Sequence, residues 1–294
     1  MQEGDMINDG YHDGVPFDAY LAPGTFGPRA VSGSDLVAFE TECPAHAYAF
    51  WRGNPDRQRS DATPAMTFGS AAHAYLLEGP DAFHARYVVK PDGLSLATRE
   101  GKAWKETVGA REMVSFGDHM RILDMQAALM RNPAAAKLLR AGGVAEATMI
   151  ATDPETGLRL LTRPDLYIGK LGLSVNLKTT QSPHPEAWRR TCANLRYDLS
   201  DALFRRVARL LGIENASHAF LVVGSKPPHL NYVAALSAEA AFAADAQLDQ
   251  ILRRFAICID SGHWPSYADG VVEIGLPSWA AAKIQQSITE GDAA

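Results

Sequence analysis

Between Val144 and Thr180 the chain reads VAEATMIATDPETGLRLLTRPDLYIGKLGLSVNLKTT. Two clusters of turn formers, Asp153-Pro154-Glu155-Thr156-Gly157 and Gly169-Lys170-Leu171-Gly172, divide it into three runs rich in leucine and β-branched residues. Glycine supplies the backbone conformations that tight turns need, and the runs between suit a buried sheet. The expectation is three strands, Val144–Thr152, Leu158–Ile168 and Leu173–Thr179, joined as hairpins. A chain containing such a meander among long helical patterns folds as a mixed α/β (α+β) protein, with a central mixed sheet flanked by helices.

Chemistry-bearing residues fall on the second and third of these strands. Pro164-Asp165 places a carboxylate near the end of the second, and Asn176-Leu177-Lys178 places an amide and an ammonium two apart on the third. Strand side chains alternate, so Asn176 and Lys178 share a face. A carboxylate, a second oxygen and a lysine meeting across a hairpin suit a hard divalent cation and a phosphate group. The lysine would orient or deprotonate a water, or offset developing charge. Taken alone, the fragments also fit a hairpin with a surface Asp and Lys.

The 294 residues carry a net charge of −6, so nucleic acid would have to be met by a local basic patch. The densest one lies in Pro185–Leu211, expected to be helical with a break near Asn194, where Arg189, Arg190, Arg196, Arg205, Arg206 and Arg209 cluster. Lys102 and Arg99 open another helical stretch and are further candidates for phosphate contact. Cys43, Cys192 and Cys258 are far apart and form no CxxC. That argues against zinc ribbons, iron–sulfur clusters and a disulfide framework, and fits a reducing cytoplasm. No apolar run is long enough to span a bilayer.

Elsewhere, residues 1–30 read as an arm rich in Gly, Pro and Asp, ordered only where it docks. Ser34 is a candidate helix cap, and Tyr48, Phe50 and Trp51 read as packing residues. In Thr67–Glu78 small residues permit close helix packing around His73, which would then sit at a fixed depth, as a metal ligand must. Pro80–Lys90 reads as a turn and a strand. His218–Val223 and Leu230–Ala235 read as strands. Ser237 caps a long helix buried through Phe242, Leu248, Ile251, Leu252, Phe255 and Ile259 and ended by Gly262. His263–Tyr267 and Ile274–Trp279 read as a closing strand and turn, and 281–294 as a fraying tail.

The order of these features resembles the RecE/lambda-exonuclease branch of the PD-(D/E)XK nucleases. A helix with Gly69-x-x-x-His73 comes first, then Glu146, Pro164-Asp165, Lys178 and a helix with Tyr197. The stretches TFGSAAHAYLLEG, GKAWKE, DPETGLRLLTRPDLY, NLKTTQSPHPEAWRR and HWPSY carry the likeness across most of 31–280. The resemblance implies one restriction-endonuclease-like domain over 31–280. His73 and Asp165 would be metal ligands, Glu146 would support them, Leu177 would offer its carbonyl and Lys178 would be the catalytic lysine. It further implies Mg²⁺ or Mn²⁺, exonucleolytic hydrolysis of linear double-stranded DNA in recombination, a homo-oligomer and a single-strand annealing protein as partner. Three positions depart: Asn176 stands where the family has Asp, and Ser200 and Phe204 stand where it has a Gln-x-x-x-Tyr pair. An amide removes a negative charge from a site that needs charge to hold the cation. A nuclease-fold DNA-binding or assembly protein with impaired chemistry is therefore the alternative.

Overall fold

Both expected turns are present, yet the strands around them serve two different sheets. The computed structural model describes residues 6–58 and 64–291. The arm docks: β1 (Gly10–His12) pairs antiparallel with residues 148–150, α1 (Phe17–Leu21) follows, and β2 (Ala30–Ser32) runs parallel to residues 159–161. Helix α2 (Gly33–Thr41) is capped by Ser32, not Ser34, in a reciprocal box with Asp35, whose Oδ2 accepts from the Ser32 amide at 2.8 Å and its hydroxyl at 2.6 Å. Next come α3 (Pro44–Phe50) and α4 (Pro64–His73), which runs on into one π-helical turn, Ala74–Glu78.

Residues 80–90 are mostly helical rather than a turn and strand. Pro80 fits the first turn of α5 (Pro80–Arg86), whose later residues form helices readily, leaving only β3 (Tyr87–Val89) as strand. Then follow α6 (Arg99–Thr107), β4 (Glu112–Val114), α7 (Phe116–Arg131) and α8 (Pro133–Arg140).

The expected strand 144–152 breaks at Glu146 into β5 (Val144–Ala145) and β6 (Thr148–Thr152). The expected strand 158–168 breaks at Arg163-Pro164-Asp165 into β7 (Arg159–Thr162) and β8 (Leu166–Ile168). Proline has no N–H to continue a ladder, and the two breaks are linked by the Glu146 amide donating to the Asp165 carbonyl at 3.3 Å. On one side of the breaks, β6 and β7 join a four-stranded sheet in the order β1-β6-β7-β2. On the other, β5 and β8 join β9 (Leu173–Thr180), β10 (Ser217–Gly224) and β11 (Asn231–Ala234) in a five-stranded mixed sheet, β11-β10-β9-β8-β5.

Helices α9 (Pro185–Asn194) and α10 (Tyr197–Leu210) connect β9 to the parallel β10, with the break at the expected place. Helix α11 (Ala238–Ser261) is capped by Ser237 and closed by Gly262 at φ +67°. Of its expected buried face, Phe242 is instead 78% exposed. It lies six residues before Leu248, about 120° round the helix from the buried stripe. The odd-numbered side of β9 (Val175, Leu177) packs with Ala71, Ala72 and Leu76, and with Ile122, Met125 and Leu129 of α7. A second core gathers α2, α10 and α11 around Phe39, Trp51, Leu203 and Phe255, against β6 and β7.

Residues 265–294 form a separate unit. Neither His263–Tyr267 nor Ile274–Trp279 forms a strand, and Val271 and Ile274 are exposed. The expected tail is instead α12 (Ser278–Gly291) over its described part, as its SWAAAKIQQS composition favours.

Candidate metal centre

Alanines 71 and 72 are fully buried, so α4 lies close against the five-stranded sheet. The next residue, His73, is carried at the junction of α4 and the π turn. In an α-helix, side chains five apart point about 140° away from each other. The wider π turn brings them onto one face, and Glu78 Oε1 lies 3.4 Å from His73 Nδ1. Glu78 is itself held by Arg86 Nη2 at 2.5 Å.

The other imidazole nitrogen faces the break in the two strands. His73 Nε2 lies 3.1 Å from Glu146 Oε1 and 3.7 Å from Asp165 Oδ1. It is sealed from solvent, and neither neighbour is aligned to form a hydrogen bond with it. One donor atom each from His73, Glu146 and Asp165 lie within 4.8 Å of one another. A buried nitrogen with no well-directed hydrogen bond, facing two carboxylate oxygens, suits a divalent cation that takes mixed N and O donors. Burial pushes the His73 pKa down, but the Glu78 contact and the charges of Asp165, Glu146 and Glu78 outweigh it, leaving the pKa raised. The same contact and Arg86 hold Glu78 below its usual range against the effect of burial.

Each carboxylate uses one oxygen structurally and presents the other. Asp165 Oδ2 accepts from the Leu177 amide at 2.8 Å, which leaves Oδ1 toward His73. Glu146 Oε2 accepts from Arg163 Nε at 2.5 Å, which leaves Oε1 toward His73. Glu146 adopts φ +56°, a left-handed conformation rare for a residue of its kind. Such outliers concentrate at functional sites.

Asn176 stands beside Asp165, its Oδ1 accepting from the Asp165 amide at 3.3 Å. Lys178 is on the same side of β9, its Nζ 4.7 Å from the centre of the Tyr197 ring. Leu177 buries its side chain on the opposite side. Arg163 and Glu78 are site residues that sequence reasoning missed. The position of Arg163 directly before Pro164-Asp165 was the available signal; the reach of Glu78 depends on a π turn that spacing does not reveal.

The arginines of α9 and α10 do not form one free row. Arg196 pairs with Asp198 at 2.9 Å and donates to Gln247 at 2.7 Å. Arg205 is bound by Asp201 and by Asp245, and Arg206 by Asp153 and by Asp249. These three stitch the fold together, because helices so close together across a small core leave their flanking cations facing carboxylates. Arg189 is exposed and pairs with Glu186 at 3.0 Å. Arg190 and Lys102 are exposed. Phe204 is a core residue between Tyr167 and His218.

A mixed sheet with an aspartate directly before β8 and an amide and a lysine on the neighbouring β9, flanked by helices, is the arrangement expected of an α+β protein of the PD-(D/E)XK kind. The chain belongs to the family described as PDDEXK-like domain of unknown function (DUF3799), whose model matches residues 32–274. Its fold is similar to the crystal structure of a candidate exonuclease from Eubacterium rectale. That similarity has a TM-score of 0.59 at 15% identity and covers 85% of this chain and 91% of that one. None of the curated proteins compared with the chain matches it. No helix among the described residues is long and apolar enough to cross a membrane.

Proposed function

We propose that the protein is a divalent-metal-dependent deoxyribonuclease that removes nucleotides from the ends of linear double-stranded DNA. The observation that carries this reading is His73 Nε2, buried and without a well-directed hydrogen bond, facing Glu146 Oε1 and Asp165 Oδ1. When bound, Mg²⁺ or Mn²⁺ supplies Lewis acidity toward a phosphate oxygen and lowers the pKa of water. His73, Asp165 and Glu146 would hold the ion, and the Asn176 amide oxygen and the Leu177 carbonyl would be weaker donors. Lys178, steadied over Tyr197, orients the attacking water or offsets charge at the scissile phosphate. Lys102, Arg99, Arg189, Arg190 and Arg209 are exposed cations available to the DNA backbone. A role in recombination, assembly into rings and an annealing-protein partner extend the same reading, and rest on the motif resemblance to the RecE branch.

A second reading is favoured by Asn176. Its amide oxygen already accepts from the Asp165 backbone and brings no charge. A domain with this substitution would keep DNA affinity and lose the chemistry. End-labelled linear duplex and closed circular DNA, each with Mg²⁺, Mn²⁺ or chelator, separate the two. Metal-dependent release of nucleotides from linear DNA alone supports the exonuclease. Asn176→Asp should then raise the rate at least tenfold by restoring a charged ligand, and Lys178→Ala should lower it about a hundredfold or more. If both the natural chain and Asn176→Asp bind DNA but release nothing with either metal, the nuclease reading is wrong.

A further inference from the structure

Among the described residues, Arg163 is the one cation that touches the three-residue centre directly, and it does so from a fixed mount. Its Nη1 donates to the Val15 carbonyl at 3.0 Å and to Thr148 Oγ1 at 3.2 Å, and its guanidinium lies 4.8 Å from the centre of the Tyr20 ring. Val15 and Tyr20 belong to the amino-terminal arm, and Thr148 opens β6. From that mount, Nε reaches Glu146 Oε2 at 2.5 Å. Glu146 needs such support, because its backbone sits at φ +56° between two strands, where no ladder fixes the side chain.

We propose that Arg163 is a positioning residue for the metal centre: it clamps one oxygen of Glu146 so that the other is aimed, with Asp165 Oδ1, at the site faced by His73 Nε2. The clamp also ties the centre to the amino-terminal arm, since two of the groups that hold the guanidinium come from residues 15–20. The inference rests on the metal-dependent reading above and extends it. Arg163 opposes the cation by charge and aids it by orientation. Orientation is taken as the larger effect, because the mount holds Nε on Oε2 while Oε1 lies 3.1 Å from the imidazole nitrogen. Partners that orient a metal ligand from behind typically account for about 10–100-fold in metal affinity.

The test is calorimetric titration of the full chain with Mn²⁺, no DNA present, on the natural protein, Arg163→Gln, Arg163→Lys, Glu146→Gln and the double variant Arg163→Gln/Glu146→Gln. Thermal melts followed by circular dichroism verify folding. Arg163→Gln should weaken Mn²⁺ binding about 10–100-fold, and Arg163→Lys should recover part of the loss. In the Glu146→Gln background, Arg163→Gln should cost nothing further, because the guanidinium acts through that carboxylate; a merely structural role would add its loss in both backgrounds. Unchanged or tighter Mn²⁺ binding by a folded Arg163→Gln overturns the clamp while leaving the metal centre standing. If Arg163→Gln does not fold, Arg163→Lys decides alone: natural affinity overturns the clamp. If the natural protein binds no Mn²⁺, the metal-dependent reading falls and takes the clamp with it.

Discussion

His218 shows how one buried side chain can set the acid limit of the fold. Its Nδ1 is 2.8 Å from Ser174 Oγ, its Nε2 has no hydrogen-bond partner, and it packs edge-on to Phe220. Burial first, then the nearby positive charges of Lys178 and Arg205, push its pKa down to about 3. The unfolded chain takes up this proton near the ordinary histidine value of about 6.5. The stability that neutral His218 contributes is therefore fully present above that pH and is lost as the pH falls toward 3. The expected slope from this residue is about 1.4 kcal/mol per pH unit across that window. Urea unfolding from pH 7 to pH 4.5 should show it, and His218→Gln should flatten it. An equally steep acid loss in that variant would place the titration elsewhere.

At the scale of elements, the distance between α4 and the five-stranded sheet decides whether the centre assembles. Ala71 and Ala72 are fully buried and pack with Leu177 and Leu221. Ala72→Leu would overfill that contact at a cost of about 1–3 kcal/mol and lift His73 away from Glu146 and Asp165. Both a lower urea midpoint and weaker Mn²⁺ binding are expected. A variant that lost stability but bound Mn²⁺ as before would show that helix depth does not control the centre. The same scale explains which parts of the site were legible. His73, Asp165 and Lys178 could be picked out because each sits in a short local pattern: a small-residue helix, a Pro-Asp pair and an alternating strand. The role of Arg163 could not, since it depends on both strands breaking at one level. Nor could the pairing of Arg205 and Arg206, because the carboxylates that hold them include Asp153, Asp245 and Asp249, 40 or more residues away.

For the whole molecule, the four apolar cores among the described residues are built from residues up to Trp264, which packs against Phe39, Trp51 and Phe255. Residues 265–294 form their own unit. A chain ending at Trp264 should therefore melt cooperatively, with a Tm within about 4 °C of the full chain, equivalent to roughly 1–2 kcal/mol at this size. A broad or much lower transition, followed by circular dichroism, would show that the last thirty residues belong to the same folding unit.

Local chemistry is written in short stretches of sequence. Turn glycines, the Pro-Asp pair, the alternation of Asn176 and Lys178, and the apolar stripes of α10 and α11 determined the class of fold and most of the candidate ligands, because each depends on neighbours a few residues apart. Tertiary structure alone decided that the meander divides between two sheets, that the arm supplies β1 and a mount for Arg163, and that Ile274–Trp279 is not a strand. Each of those outcomes depends on which distant groups meet, and the spacing of residues along a chain does not encode that.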